Sequence, residues 1–197
     1  MEKASIPFDK LSKIIITHQD IDHIGNLPII LNESPQRVEV VANEVEKPYI
    51  QGEKRLLKLT PEAIAQAMNS LPAEMSEERR KAFKAVLENP PKANVDKTIA
   101  DGEELLYCGG IIVINTPGHT PGHICLYHKK TKTLIAGDAM KVGDNQLLRP
   151  DPRATLDMDL AIKSLKKLTQ YDIEAVVCYH GGLYKGNANQ RIAELAL

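Results

Sequence analysis

No apolar run in the 197 residues approaches the roughly 20 that a bilayer-spanning helix requires. The first residues, Met-Glu-Lys-Ala-Ser, lack the apolar centre of a signal peptide. A cytoplasmic protein with no membrane partner is expected. An excess of charge is missing too: 25 Lys and Arg stand against 26 Asp and Glu, so no strong field exists to attract nucleic acid. The expected partner is a small-molecule substrate. Cys108, Cys125 and Cys178 are odd in number and show no CxxC spacing, which argues against a disulfide framework or a structural zinc knuckle and fits reduced thiols. Sustained repeats and low-complexity segments are also lacking. What is present is a chain 43% hydrophobic, long enough for one sizeable core and too short for two full domains, so residues 1–197 are read as a single domain.

Ile14 to Ile16 is a run of β-branched residues with the pattern of a strand buried on both faces, and it leads directly into Thr17 and His18. Ile24, Leu27, Ile30 and Leu31 then recur at helical spacing until Ser34-Pro35, which puts Asp20 to His23 in the turn and the helix start. Val38 to Val41 reads as a strand, and Asn43-Glu-Val-Glu46 as a capped helix entrance. Thr60-Pro61 opens a helix to about Asn69, and Ser76 opens another over Glu77 to Glu88. This charged stretch, at about residues 60–90, interrupts a strand-like pattern and is read as an insertion. Its stripes, Ile64, Ala67, Met68 and Phe83, Val86, Leu87, suit helices packing on a core.

Strand character returns near Val95 and holds through Asp138, with a hairpin turning at Lys129 to Lys132. A helix over Leu156 to Leu168 follows, with Lys163 to Lys167 on its solvated face, and Ala175 to Cys178 reads as a final buried strand delivering His180. The class is mixed α/β, with polar residues repeatedly placed just after strands.

Those polar residues are of metal-ligand type: His18 with Asp20, Asp22 with His23, His119 with His123, then Asp138 and His180. Singly each has a bland explanation, a loop histidine or a helix N-cap aspartate. Together they do not, and the glycines around them add weight. Thr116-Pro-Gly-His-Thr-Pro-Gly-His123 carries two Pro-Gly pairs, Gly137 precedes Asp138, and Gly181-Gly182 follows His180. Tight turns alone account for the glycines and leave the histidines and aspartates unexplained. His123 is open to a supporting role or an inert one. His128 reads as solvent-exposed, Cys178 as a small buried hydrophobe, and Tyr179 and Tyr184 as packing residues.

The segment Thr17-His18-Gln19-Asp20-Ile21-Asp22-His23, with His119 in Gly-His-Thr, Asp138 in Ala-Gly-Asp and His180 in Tyr-His-Gly-Gly, resembles the metallo-β-lactamase superfamily over nearly the whole chain. The resemblance implies an αββα sandwich and two divalent metal ions, zinc by preference, with manganese or iron as alternatives. One metal would take His18, position 20 and His119; the other Asp22, His23 and His180; Asp138 would bridge them. Asp22 is also the residue assigned to catalysis. The implied reaction is hydrolysis of a small ester, thioester, lactone or amide by a metal-bound hydroxide, because neutral imidazoles leave enough positive charge on the metals to acidify water.

Two features depart from the family pattern. Asp20 stands where the family usually has His, adding a carboxylate that weakens Lewis acidity and makes the donor set harder. A binuclear site with one weaker position is the expectation, and a di-iron redox protein of the same superfamily is the alternative. Second, only 16 residues precede Thr17, where the family usually runs through several strands. The chain is therefore read as N-terminally truncated with an incomplete first sheet, which predicts self-association to a homo-oligomer or reduced stability, and leaves an inactive remnant as a third reading.

Overall fold

A computed structural model of the protein describes residues 7–197; the reading of Met-Glu-Lys-Ala-Ser lies outside these residues. The chain forms two compact units. One holds the described residues to Val41 together with Lys47–Lys97, and the other holds Ala42–Glu46 with Thr98–Leu197.

The first unit opens with β1 (Lys13–Ile16), followed by α1 (Ile21–Ile24), α2 (Leu27–Glu33) and β2 (Glu39–Asn43), which runs on into the second unit. After α3 (Lys47–Ile50), α4 (Pro61–Asn69) and α5 (Glu77–Glu88) comes β3 (Lys97–Ile99). The sheet expected to be incomplete carries three strands among the described residues, in the order β1-β2-β3. As an edge strand, β1 leaves Ile14 and Ile15 only half-buried and buries Ile16, which corrects the expectation of burial on both faces.

The helix predicted to continue from Asp20 to Ser34 is broken into α1 and α2. Pro28 has no N–H to give the carbonyl of Ile24, so the ladder stops and restarts with Ile30 N–H donating to Asn26. The insertion helices form where predicted, with Thr60 Oγ1 accepting from Ala63 N–H and Ser76 Oγ from Arg79 N–H. Ile64 and Leu87 are buried, whereas Phe83 and Val86 of the predicted stripe are exposed. With the segment around residues 49–56, α4 and α5 line a cavity of about 1040 Å³.

The second unit is built on a six-stranded sheet of β4 (Glu104–Leu105), β5 (Ile111–Asn115), β6 (Ile124–His128), β7 (Thr133–Gly137), β10 (Ala175–Cys178) and β11 (Gly182–Lys185). Its order is β11-β10-β7-β6-β5-β4; the β7–β10 pair is parallel and the others are antiparallel. Between β7 and β10 lie a small β8–β9 hairpin (Lys141–Gly143 and Gln146–Leu148) and α6 (Met158–Leu168).

Alternation in β7 shows which face is buried: Leu134 and Ala136 are fully buried, Ile135 between them exposed. That face meets Leu165 and Leu168 of α6 and Ile192 and Leu195 of α7 (Ala188–Leu195) in one core. Ala175 to Cys178 is thus not the last strand. The sequence 182–185 continues the sheet as β11, and α7 closes the core behind it.

Candidate metal centre

In the first unit, β1 ends at Thr17, whose side chain organises the residues after it. Thr17 Oγ1 lies 3.0 Å from Nδ1 of His18 and 3.4 Å from Nδ1 of His23. Their rings are held 4.0 Å apart between centroids. Engaging both histidines at Nδ1 fixes the orientation of their rings, as an outer hydrogen bond does for a metal-binding imidazole. Nothing in the residue types announced this role for Thr17; it follows from the turn after β1. Gln19, also buried, accepts a 2.8 Å hydrogen bond from Leu57 N–H.

Asp20 occupies the N-cap position of α1 with extended backbone, yet its side chain makes no cap bond. Its Oδ2 instead sits 2.5 Å from Lys58 Nζ and 3.4 Å from His18 Nε2. Asp22 is exposed, with Oδ2 3.8 Å from His23 Nε2. The bland reading of Asp20 as a helix cap therefore fails.

The second unit brings its own three predicted residues together. Asp138 Oδ2 is 3.4 Å from Nε2 of His119 and 3.4 Å from Nε2 of His180. Two donors each about 2.0–2.1 Å from a tetrahedral metal stand about 3.3–3.4 Å apart, so these separations suit a carboxylate shared between two metal positions. Nε2 of His18 and of His23 and Oδ1 of Asp138 are buried atoms. His18, His23, Asp20 and Asp22 in the first unit, and His119, His180 and Asp138 in the second, are each of donor types that fit divalent metal ions.

His119 is presented by a loop fixed from several sides. Ser164 Oγ donates to the Pro117 carbonyl at 2.7 Å, and Asp157 N–H to the Gly118 carbonyl at 2.9 Å. Gly118 has φ +135°, and a Cβ there would lie 2.3 Å from the backbone nitrogen of Ala161 in α6. Thr155 Oγ1 stands 3.3 Å from His119 Nδ1. Buried Glu46 receives both Thr120 O–H at 2.8 Å and Gly122 N–H at 2.7 Å. This corrects the expected Asn43–Glu46 capping box: Asn43 Oδ1 accepts from Val45 N–H, and Glu46 serves the histidine loop.

His123, left open by the sequence, has a supporting place. Its Nδ1 is 2.8 Å from Thr116 Oγ1, and its Nε2 accepts from Asp138 N–H at 3.1 Å, which anchors the backbone of Asp138. His180 follows β10, with its side chain 58% exposed. The turn there admits only glycine at 181, where φ is +92° and a Cβ would lie 2.0 Å from the Val142 carbonyl oxygen. His128 is half-buried rather than solvent-exposed, because Nε2 meets the Cys108 carbonyl at 2.6 Å and Nδ1 meets Thr131 Oγ1.

His119, Asp138 and His180 line a cavity of about 310 Å³ whose other wall includes Lys141 and Asp151. The Arg153 guanidinium, the Arg153 backbone N–H and Lys141 hold the Asp151 carboxyl well below the usual carboxylate range. Neither Lys141 nor Asp151 belongs to any motif legible in the sequence. Burial pushes the Cys178 and Cys125 thiols up to about 12, the behaviour of small core residues. Among the described residues, no helix is long and apolar enough to cross a membrane.

The family model of the Metallo-beta-lactamase superfamily matches residues 3–180. The chain is 30% identical over 199 residues to the probable metallo-hydrolase YflN of Bacillus subtilis, covering 95% of this chain and 71% of that protein. Against the crystal structure of the superfamily protein ST1585 from Sulfolobus tokodaii it has 25% identity and a TM-score of 0.63, over 94% of this chain and 66% of that one. A TM-score of 0.58 at 22% identity relates it in fold to TTHA1623, solved in a di-iron-bound form, over 93% of this chain and 74% of that one. The chain belongs to the metallo-β-lactamase superfamily, whose fold it shares.

Proposed function

We propose that this protein is a metal-dependent hydrolase of a small ester, thioester, lactone or amide. On the family pattern, His18, Asp20 and His119 would hold one metal, and Asp22, His23 and His180 the other, with Asp138 available to both. The observation that carries the reading is the placement of Asp138 Oδ2 at 3.4 Å from two imidazole nitrogens at once. Bound metal would supply Lewis acidity and an acidified water. The chain's own residues do the rest. Thr17 and His123 hold ligands in orientation, Asp22 accepts a proton at its carboxylate, and Lys141 offers a cation at the cavity wall to a polar group of the substrate. A cavity of about 310 Å³ sits at the small end of ligand pockets and supports a small substrate.

Imidazole donors favour zinc. Asp20 is the feature that favours the alternative, an iron-binding redox protein, since an added carboxylate hardens the site. Elemental analysis combined with a visible spectrum separates them. Colourless zinc or manganese protein with hydrolytic activity is expected. Iron with a charge-transfer band would replace hydrolysis by redox chemistry, and protein that takes up no metal would overturn both.

A further inference from the structure

We infer that Lys58 is a built-in cation that competes with a metal ion for Asp20, so that the metal position served by Asp20 binds far more weakly than the other. The inference rests on the metal centre proposed above and deepens it. Three observations within the first unit carry it. First, Lys58 Nζ contacts Asp20 Oδ2 at 2.5 Å, and that same oxygen lies 3.4 Å from His18 Nε2. A metal held by His18 Nε2 and Asp20 Oδ2 must therefore share or displace the ammonium. Second, the pair is sheltered, with Lys58 21% and Asp20 14% exposed, so solvent screens it less than a surface ion pair.

Third, Lys58 is held in place by its neighbour, because Leu57 N–H donates to the buried Gln19 side chain one residue before Asp20. The His-to-Asp departure and the lysine then make sense together. An imidazole at position 20 would be repelled from an ammonium whenever it was protonated, and when neutral could accept a hydrogen bond from it without neutralising its charge. A carboxylate is neutralised by the ammonium without any metal. Asp20 and Lys58 thus form a self-compensated pair in a position that a metal fills elsewhere in the family pattern.

Equilibrium dialysis of the whole chain against Zn²⁺, with metal counted by elemental analysis, tests this. A Co²⁺ titration followed by its visible spectrum gives a second readout. Wild type is expected to hold one tight metal and a second only at much higher free metal. Lys58→Met removes the charge and keeps much of the stem, and it should tighten the second site by about tenfold or more. Lys58→Gln should act in the same direction, and Lys58→Arg should leave the wild-type pattern, with circular dichroism verifying the fold of each. Two equally tight metals in wild type, or a second-site affinity unchanged in both Lys58→Met and Lys58→Gln, would refute the role of Lys58 and leave the metal centre standing. No metal in any variant would remove the metal centre and this inference with it.

Discussion

Removal of the Glu46 side chain should destabilise the protein out of proportion to its distance in sequence from the histidine loop. Glu46 is fully buried, and one of its oxygens, Oε1, receives both Thr120 O–H at 2.8 Å and Gly122 N–H at 2.7 Å. In Glu46→Ala both donors stay buried and lose their acceptor. At about 1–3 kcal/mol for each buried group left unsatisfied, the loss is about 2–6 kcal/mol, a large share of the roughly 5–15 kcal/mol that stabilises a typical domain. Glu46→Gln is the informative companion. Its amide oxygen can take the place of Oε1 for both donors, so most of the stability should return. Urea unfolding followed by circular dichroism measures both variants. An alanine variant within about 1 kcal/mol of wild type, or a glutamine variant as damaged as alanine, would refute the assignment of Glu46 as the anchor of residues 120–122.

Other consequences can be checked singly. Gly118→Ala would place a methyl 2.3 Å from the Ala161 nitrogen at φ +135°, so the loop or α6 must shift, with a loss of about 3 kcal/mol or more in thermal or urea unfolding. His123→Ala removes the acceptor for Asp138 N–H and should weaken metal binding by about 10–100-fold in calorimetric titration while deleting no ligand. Of the three thiols, only exposed Cys108 should react with a disulfide reagent in the native protein at mildly alkaline pH, because burial lifts those of Cys125 and Cys178 to about 12. The same shift sets a pH dependence. The unfolded chain releases these protons from about pH 9 and the folded one only near 12, so stability should fall as pH rises through that window.

The candidate ligand residues stood out in the sequence because metal chemistry restricts such residues to few types, and because His18, His119, Asp138 and His180 each sit where a hydrophobic pattern stops. The caps of α4 and α5 were legible too, since Thr60 and Ser76 act through bonds to residues three positions on. Long-range partners were not. The Asn43-to-Glu46 spacing has the form of a capping box, yet Glu46 bonds to residues 74 and 76 positions away. Lys58 is one lysine among many in a charged stretch, and its pairing with Asp20 spans 38 positions. The break after α1 was readable in principle at Pro28, whose missing N–H outweighs the helical recurrence of Ile24, Leu27 and Ile30. The burial of α5 was not legible, because an apolar stripe says that a face exists and not how much of it is covered: Leu87 is buried, while Phe83 and Val86 remain exposed.

The most direct test of the proposed hydrolase is the initial rate of hydrolysis of a panel of small esters, thioesters, lactones and amides by metal-loaded wild type and His119→Ala at equal protein concentration. Hydrolysis of at least one substrate that falls by about 100-fold or more in the variant is the predicted result, as expected for loss of several kcal/mol of transition-state stabilisation. Hydrolysis that survives the substitution unchanged, or iron-loaded protein that turns over no substrate in the panel, would contradict it.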